Sequence, residues 1–245
     1  MIAFLLAVSA VGAAAVAGLD HVPIAVRDLD TAAAAYRRLG FSLKPGRAHE
    51  NGLRNVHAKF PDGTELELIT APEVRDPLTA KYRKHLEAGD GPAFLALFAP
   101  SGAPEVEKPF YVFFGRRNHS PTDRPEHFAH ENTAGSLIAV WLAGELTDEQ
   151  RMLTALKAPL VVRDVHVPDR MRATVARLPE GEILLLPASR QLVGNRPIVG
   201  ATVRVRSLDT ARATLARNGV PVRVAGTSVF IAPESAHGLW LEMRE

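Results

Sequence analysis

Six side chains able to do chemistry recur at alternate positions of three short runs. In LDHVPIAV (19–26), His21 points away from Val22, Ile24 and Val26. In NVHAKF (55–60), Asn55, His57 and Lys59 alternate with Val56, Ala58 and Phe60, and in TELELIT (64–70), Glu65 and Glu67 alternate with Leu66 and Leu68. If the apolar set packs inward, His21, Asn55, His57, Lys59, Glu65 and Glu67 share the opposite face. An imidazole beside a carboxylate suits a divalent metal such as zinc, iron, manganese or nickel. A metal on His21 and Glu67 needs a third ligand, and His57, His49 or Glu242 can be offered. The competing readings are a solvated sheet face, and for His21 a buried, hydrogen-bonded core position.

Positioning these residues takes a strand, a helix and further strands. RDLDTAAAAYRRLGF (27–41) reads as a short helix with Asp28 as N-cap and Gly40 as its stop. Pro61-Asp62-Gly63 is the turn between the last two strands. The unit recurs near the end of the chain, where residues 21–41 align without a gap on residues 200–220. Leu29-Asp30-Thr31-Ala32 falls on Leu208-Asp209-Thr210-Ala211, Gly40 on Gly219, and the cap Asp28 on Ser207. Glu242, in GLWLEM, takes the place of Glu67, and His237 stands just before its strand. A repeat this long points to a modular architecture.

The first strand with its histidine, the run His49-xx-Gly52-xx-Asn55 and the closing LELI resemble the glyoxalase-like branch of the vicinal oxygen chelate superfamily. HENTAGSLIAVWLAG (130–144) and AHGLWLEM (236–243) are similar to that family too. The resemblance implies an α+β fold of repeated βαβββ modules, paired into two curled-sheet half-barrels, with His21 and Glu67 aimed at a shared cavity. It implies His21 and Glu67 as metal ligands, Glu67 or Glu242 as proton shuttle, and His49, Asn55, His57 and His237 as substrate-binding residues. The implied activity is that of a divalent-metal enzyme holding a small oxygen-bearing substrate and stabilising its enolate or oxyanion. The alternative is a metal-free protein binding a small molecule in the same cavity. In the family the second module commonly supplies a further ligand on its first strand and a glutamate on its last. Those positions fall here on Phe94 and Phe113, which cannot bind a metal.

The expected domains are residues 18–130, with a shortened second module over 91–115, and residues 131–245. A third module begins at SLIAVWLAG, with Ile138 at the place of His21 and Thr147 capping its helix; strands follow near 161–167, 171–178 and 182–187. The fourth has Gly200 at the His21 position. The linker RRNHSPTDRPEHFAH (116–130) carries three histidines at spacings that fit no structural zinc site. It reads as a turn-rich loop, or as a lid bringing His127 or His130 over the cavity. His85 and His166 read as structural or exposed. The absence of cysteine rules out disulfides and thiol chemistry. A net charge of +2 and the lack of a basic run give nucleic-acid binding no support. No nucleophile elbow, phosphate loop or HExxH is present. Residues 1–17 read as an export leader ending in Ala15-Val16-Ala17. The first strand follows at once, so none of that segment is expected in the fold, and no stable membrane association is expected after its removal.

Overall fold

A computed structural model describes residues 16–245. In chain order the elements are β1 (Gly18–Leu19), β2 (His21–Ala25), α1 (Leu29–Arg38), β3 (Lys44–Pro45), β4 (Arg54–Lys59), β5 (Glu65–Thr70) and α2 (Pro77–Glu87). Then come β6 (Gly91–Pro92), β7 (Leu95–Phe98), β8 (Val112–Gly115), β9 (Ala134–Ala143), α3 (Thr147–Ala155), β10 (Leu160–His166), β11 (Arg170–Arg177) and β12 (Glu182–Leu186). The last are β13 (Ile198–Val205), α4 (Leu208–Arg217), β14 (Val222–Ala225), β15 (Ser228–Ile231) and β16 (Trp240–Arg244). They make a five-stranded sheet in the order β3-β4-β5-β2-β6 and an eight-stranded sheet in the order β10-β11-β12-β9-β13-β16-β15-β14. A small third sheet, β1-β7-β8, joins them.

The α+β modular fold is as expected. In every module the first and last strands are parallel neighbours: β2 with β5, β7 with β8, β9 with β12, and β13 with β16. The register repeats to the residue, since Pro23 faces Glu67 as Thr202 faces Glu242. Modules three and four meet along β9 and β13, the middle strands of the larger sheet. Module two keeps its first and last strands and loses the rest.

α1 buries Leu29, Ala32, Ala33 and Tyr36, the i, i+3, i+4, i+7 stripe of a helix on a sheet. Asp28 accepts from the amides of Asp30 and Thr31, both at 3.0 Å, and Ser207 accepts from Thr210 at 3.1 Å. Gly40 follows α1 with φ of +90°, which explains a glycine there. Thr147, in contrast, is the first helical residue of α3; Leu146 is the N-cap and makes no side-chain cap bond, the first turn carrying Asp148 and Glu149 instead.

Two expectations are corrected. The register between β9 and β13 skips Ile138, a bulge that turns Ala139 and Trp141 into the half-barrel in its stead. And residues next to the expected cleavage point belong to the fold. Val16 is buried, the Ala17 amide donates to Phe98 O, and Ala17 O accepts from the Glu180 amide, both at 2.8 Å. The remainder of the leader, residues 1–15, lies outside the described residues. Among the described residues no helix is long and apolar enough to cross a membrane.

Candidate functional site

The polar face of the five-stranded sheet is not solvated. Lys59 is 0% and Glu65 2% exposed, and Asn55, His57 and Glu67 are buried as well. Its cover comes from the segment between β8 and β9. Asp123 binds Lys44 Nζ at 2.5 Å and Lys59 Nζ at 2.7 Å, and Lys59 also donates to Asn118 O at 2.6 Å. Arg117 donates to Leu19 O and lies 4.7 Å over the Phe98 ring. Burial alone would raise the Asp123 carboxyl; the two ammonium groups and the Ser120 amide reverse this and hold it well below the usual carboxylate range. The linker is thus a strap. His127 and His130 brace it from within: His130 Nδ1 accepts from the Ser42 amide at 3.0 Å and its Nε2 donates to Lys59 O at 2.8 Å.

Under the strap, β2, β4 and β5 align the cluster by register. His57 stands opposite Glu67 and Lys59 opposite Glu65 on β4–β5, while His21 stands opposite Glu65 on β2–β5. Asn55 Nδ2 donates to Glu67 Oε1 at 2.5 Å, and His57 Nδ1 meets Glu65 Oε1 at 3.1 Å. His49 Nε2 reaches Asn55 Oδ1 at 3.4 Å. Gly46 makes room for this amide, since a Cβ there would stand 1.7 Å from Asn55 Oδ1. Glu65 Oε2 is buried without a partner.

His21 Nε2 lies 3.7 Å from Glu67 Oε2, and Nδ1 lies 3.2 Å from Asp20 Oδ1. The geometry at Asp20 is off the line of a good hydrogen bond, which leaves Oδ1 otherwise unpartnered. Burial alone would lower the imidazole pKa. The contact with Asp20 and the charges of Glu67, Asp20 and Glu65 outweigh it and push the value up to about 9. His21 is therefore an imidazolium at neutral pH, between carboxylates.

Phe113 packs edge-on against His21 with centroids 5.4 Å apart, Phe94 packs on Phe113, and Tyr82 on Phe94. Burial, then the Glu67 charge, raises the Tyr82 hydroxyl well above its ordinary pKa. Rings fill the positions from which module two would have offered ligands. Among the described residues no three His, Asp or Glu side chains are placed to hold a metal ion. The donor set at His21 and Glu67 does not fit one as arranged: only two donors converge, and the Phe113 ring stands where another ligand would enter.

Glu242 and His237 lie elsewhere. Glu242 Oε1 accepts from Ser228 Oγ at 2.5 Å and Oε2 from Thr202 Oγ1 at 2.6 Å, beside a cavity of about 280 Å³ in the eight-stranded sheet. Trp141 Nε1 donates to the same Thr202 hydroxyl at 2.9 Å, and the indole fills this half-barrel. Gly200, at the His21 position, is what admits it, because a Cβ there would stand 2.2 Å from Trp141 Cε3. His237 Nδ1 bonds Asp90 Oδ2 at 2.8 Å, tying module four to the turn after α2.

Comparison with known proteins agrees with this modular architecture. Residues 19–108 match the family described as glyoxalase-like domain. No curated protein matches the chain. A triple mutant of 4-hydroxymandelate synthase from Streptomyces coelicolor superposes with a TM-score of 0.63 at 14% identity, over 94% of this chain and 93% of that one. A xylose isomerase-like TIM barrel/4-hydroxyphenylpyruvate dioxygenase fusion protein gives 0.60 at 13% identity, over 94% of this chain and 48% of that one, so this chain spans about half its length. A hypothetical protein from Staphylococcus aureus gives 0.52 at 9% identity, over 92% and 98% of the two chains. At these identities the likeness is one of fold.

Proposed function

We propose that the chain is a glyoxalase-like small-molecule binding protein that works without a metal at the His21–Glu67 face. The observation that carries this is the His21 ring held between Asp20 and Glu67 with the Phe113 ring packed edge-on against it. His21 keeps 19% of its side chain exposed, which leaves the pair open to a ligand. The 3.7 Å gap between Nε2 and Glu67 Oε2 is too long for a direct hydrogen bond. A ligand hydroxyl beside the pair can accept from the imidazolium and donate to the carboxylate, with Asn55 fixing the carboxylate and His49 fixing Asn55. That makes the ligand a small, oxygen-bearing molecule.

The second reading is a metal-dependent enzyme with Glu67 moving a proton; the same 3.7 Å span, which one ion could bridge, favours it. The raised pKa of His21 opposes it, since a metal must displace the proton that the neighbouring carboxylates favour. Elemental analysis after incubation with zinc, iron, manganese and nickel, beside thermal melting with small hydroxy acids, tests the proposal. The expected result is no stoichiometric metal and a stabilisation by hydroxy acids that Glu67→Gln abolishes. One equivalent of metal that His21→Ala removes overturns it in favour of the enzyme.

Export belongs to the proposal. Since Val16 and Ala17 are used in the fold, cleavage upstream of Val16 is the form expected by intact mass, and a mature chain starting at Gly18 contradicts it.

A further inference from the structure

A cavity of about 990 Å³ lies away from the His21 face. It opens between α2, the shortened second module and the start of α3. Its size is at the upper end for small-molecule sites. One wall is aromatic: Phe94, Phe110 and Tyr111. Phe110 is 76% exposed, the most exposed large apolar side chain in the described residues, and it stands at this cavity.

The cavity has a charged anchor. Glu149 is only 6% exposed. Its Oε1 accepts from Tyr111 Oη at 2.7 Å, and among the described residues nothing bonds Oε2. With Oε1 held by Tyr111 and Oε2 open to the cavity, this carboxylate can receive a hydrogen-bonding cation. Glu145 and Asp148 lie beside it, so the α3 N-terminus is already met by acids and has no call for an added anion.

The cations of the cavity divide into two kinds. Arg196 is committed to the carbonyls of His85, Gly89 and Asp90, and Lys108 to Val112 O. Lys81 and Lys84, on α2, are exposed and make no ion pair among the described residues. The cavity thus offers a free carboxylate oxygen, two free ammonium groups and an aromatic wall.

We propose that this cavity binds a small zwitterion with an apolar body, its ammonium on Glu149 and its carboxylate toward Lys81 and Lys84. The site is separate from the His21 face, with Phe94 and Phe113 between the two.

Three ligands of one shape separate the charges: L-phenylalanine carries both, phenethylamine only the ammonium, 3-phenylpropionate only the carboxylate. In calorimetric titrations of the full chain, L-phenylalanine binds most tightly, phenethylamine more weakly and 3-phenylpropionate least. Glu149→Gln keeps an acceptor for Tyr111 and lowers affinity for both amines about tenfold or more. The double variant Lys81→Ala/Lys84→Ala, on an exposed helix face, lowers affinity for L-phenylalanine and leaves phenethylamine unchanged. This second variant decides the matter should Glu149→Gln fail to fold. Absence of binding by all three ligands at millimolar concentration, binding of 3-phenylpropionate as tight as that of the amines, or lysine variants without effect on L-phenylalanine overturns the proposal. His21→Ala leaves these affinities unchanged; a loss there would place the ligand at the other face and overturn it too.

Discussion

At the scale of single residues, His21 is the group with most to reveal. Its pKa rises from an ordinary 6.5 to about 9 in the fold. The stabilisation this carries is complete below pH 6.5 and is lost as pH climbs through 9, because the folded state binds the extra proton. Its full size is on the order of 3 kcal/mol. Denaturant unfolding at pH 6 and pH 9.5 is expected to show wild type losing more stability across that window than His21→Gln; equal losses would mean that His21 is not an imidazolium. Alternation placed His21, Asn55, His57, Lys59, Glu65 and Glu67 on one face correctly, since a strand has only two sides. It could not say whether that face is wet. The answer depends on Asp123 reaching Lys44 and Lys59 from far along the chain, and no local pattern announces such a contact.

Among the elements, the aligned helices α1 and α4 carry matching caps. Ser207→Ala is expected to cost about 1 kcal/mol in chemical denaturation. Asp28→Ala lowers the midpoint as well. The Asp28 carboxyl is held below its ordinary value by the Thr31 and Asp30 amides, so its contribution is present above the unfolded pKa and fades as pH falls below it. A wild-type advantage over Asp28→Ala that persists undiminished in strong acid would count against the cap. These caps, the strands and the repeat were legible because capping and periodicity are local. Trp141 in the second half-barrel was not. Its sign was an absence, the glycine at 200 where the first module has a histidine, and only the packed indole explains that glycine. Ile138 is out of the place its sequence position suggests for a similar reason, since a bulge is written in the partner strand as much as in its own.

Across the whole molecule, one residue of the second half closes the helix of the first. Arg196 is buried and donates to the last carbonyls of α2 and the turn beyond it, at Gly89 O (3.0 Å), Asp90 O (3.2 Å) and His85 O. Its charge, after burial itself, helps push His85 down to about 4, so that ring stays neutral. Tyr36 Oη to Ala236 O at 3.2 Å, and the reciprocal bonds between Arg38 and Asn218, join the halves elsewhere. Arg196→Ala leaves several carbonyls unanswered and is expected to cost about 2–3 kcal/mol. In calorimetry wild type is expected to show one transition and the variant two; one unsplit transition in the variant would show that the other contacts suffice. The indole that fills the second half-barrel has an optical consequence. Both tryptophans, Trp141 and Trp240, lie in the second half, and all three tyrosines, Tyr36, Tyr82 and Tyr111, lie in the first. Light absorbed at the red edge, by indole alone, therefore reads out the second half, through the fully buried Trp141 and the partly buried Trp240. Phenolic emission reads out the first half, so a ligand settling against Tyr111 changes one colour of the protein and leaves the other as it was.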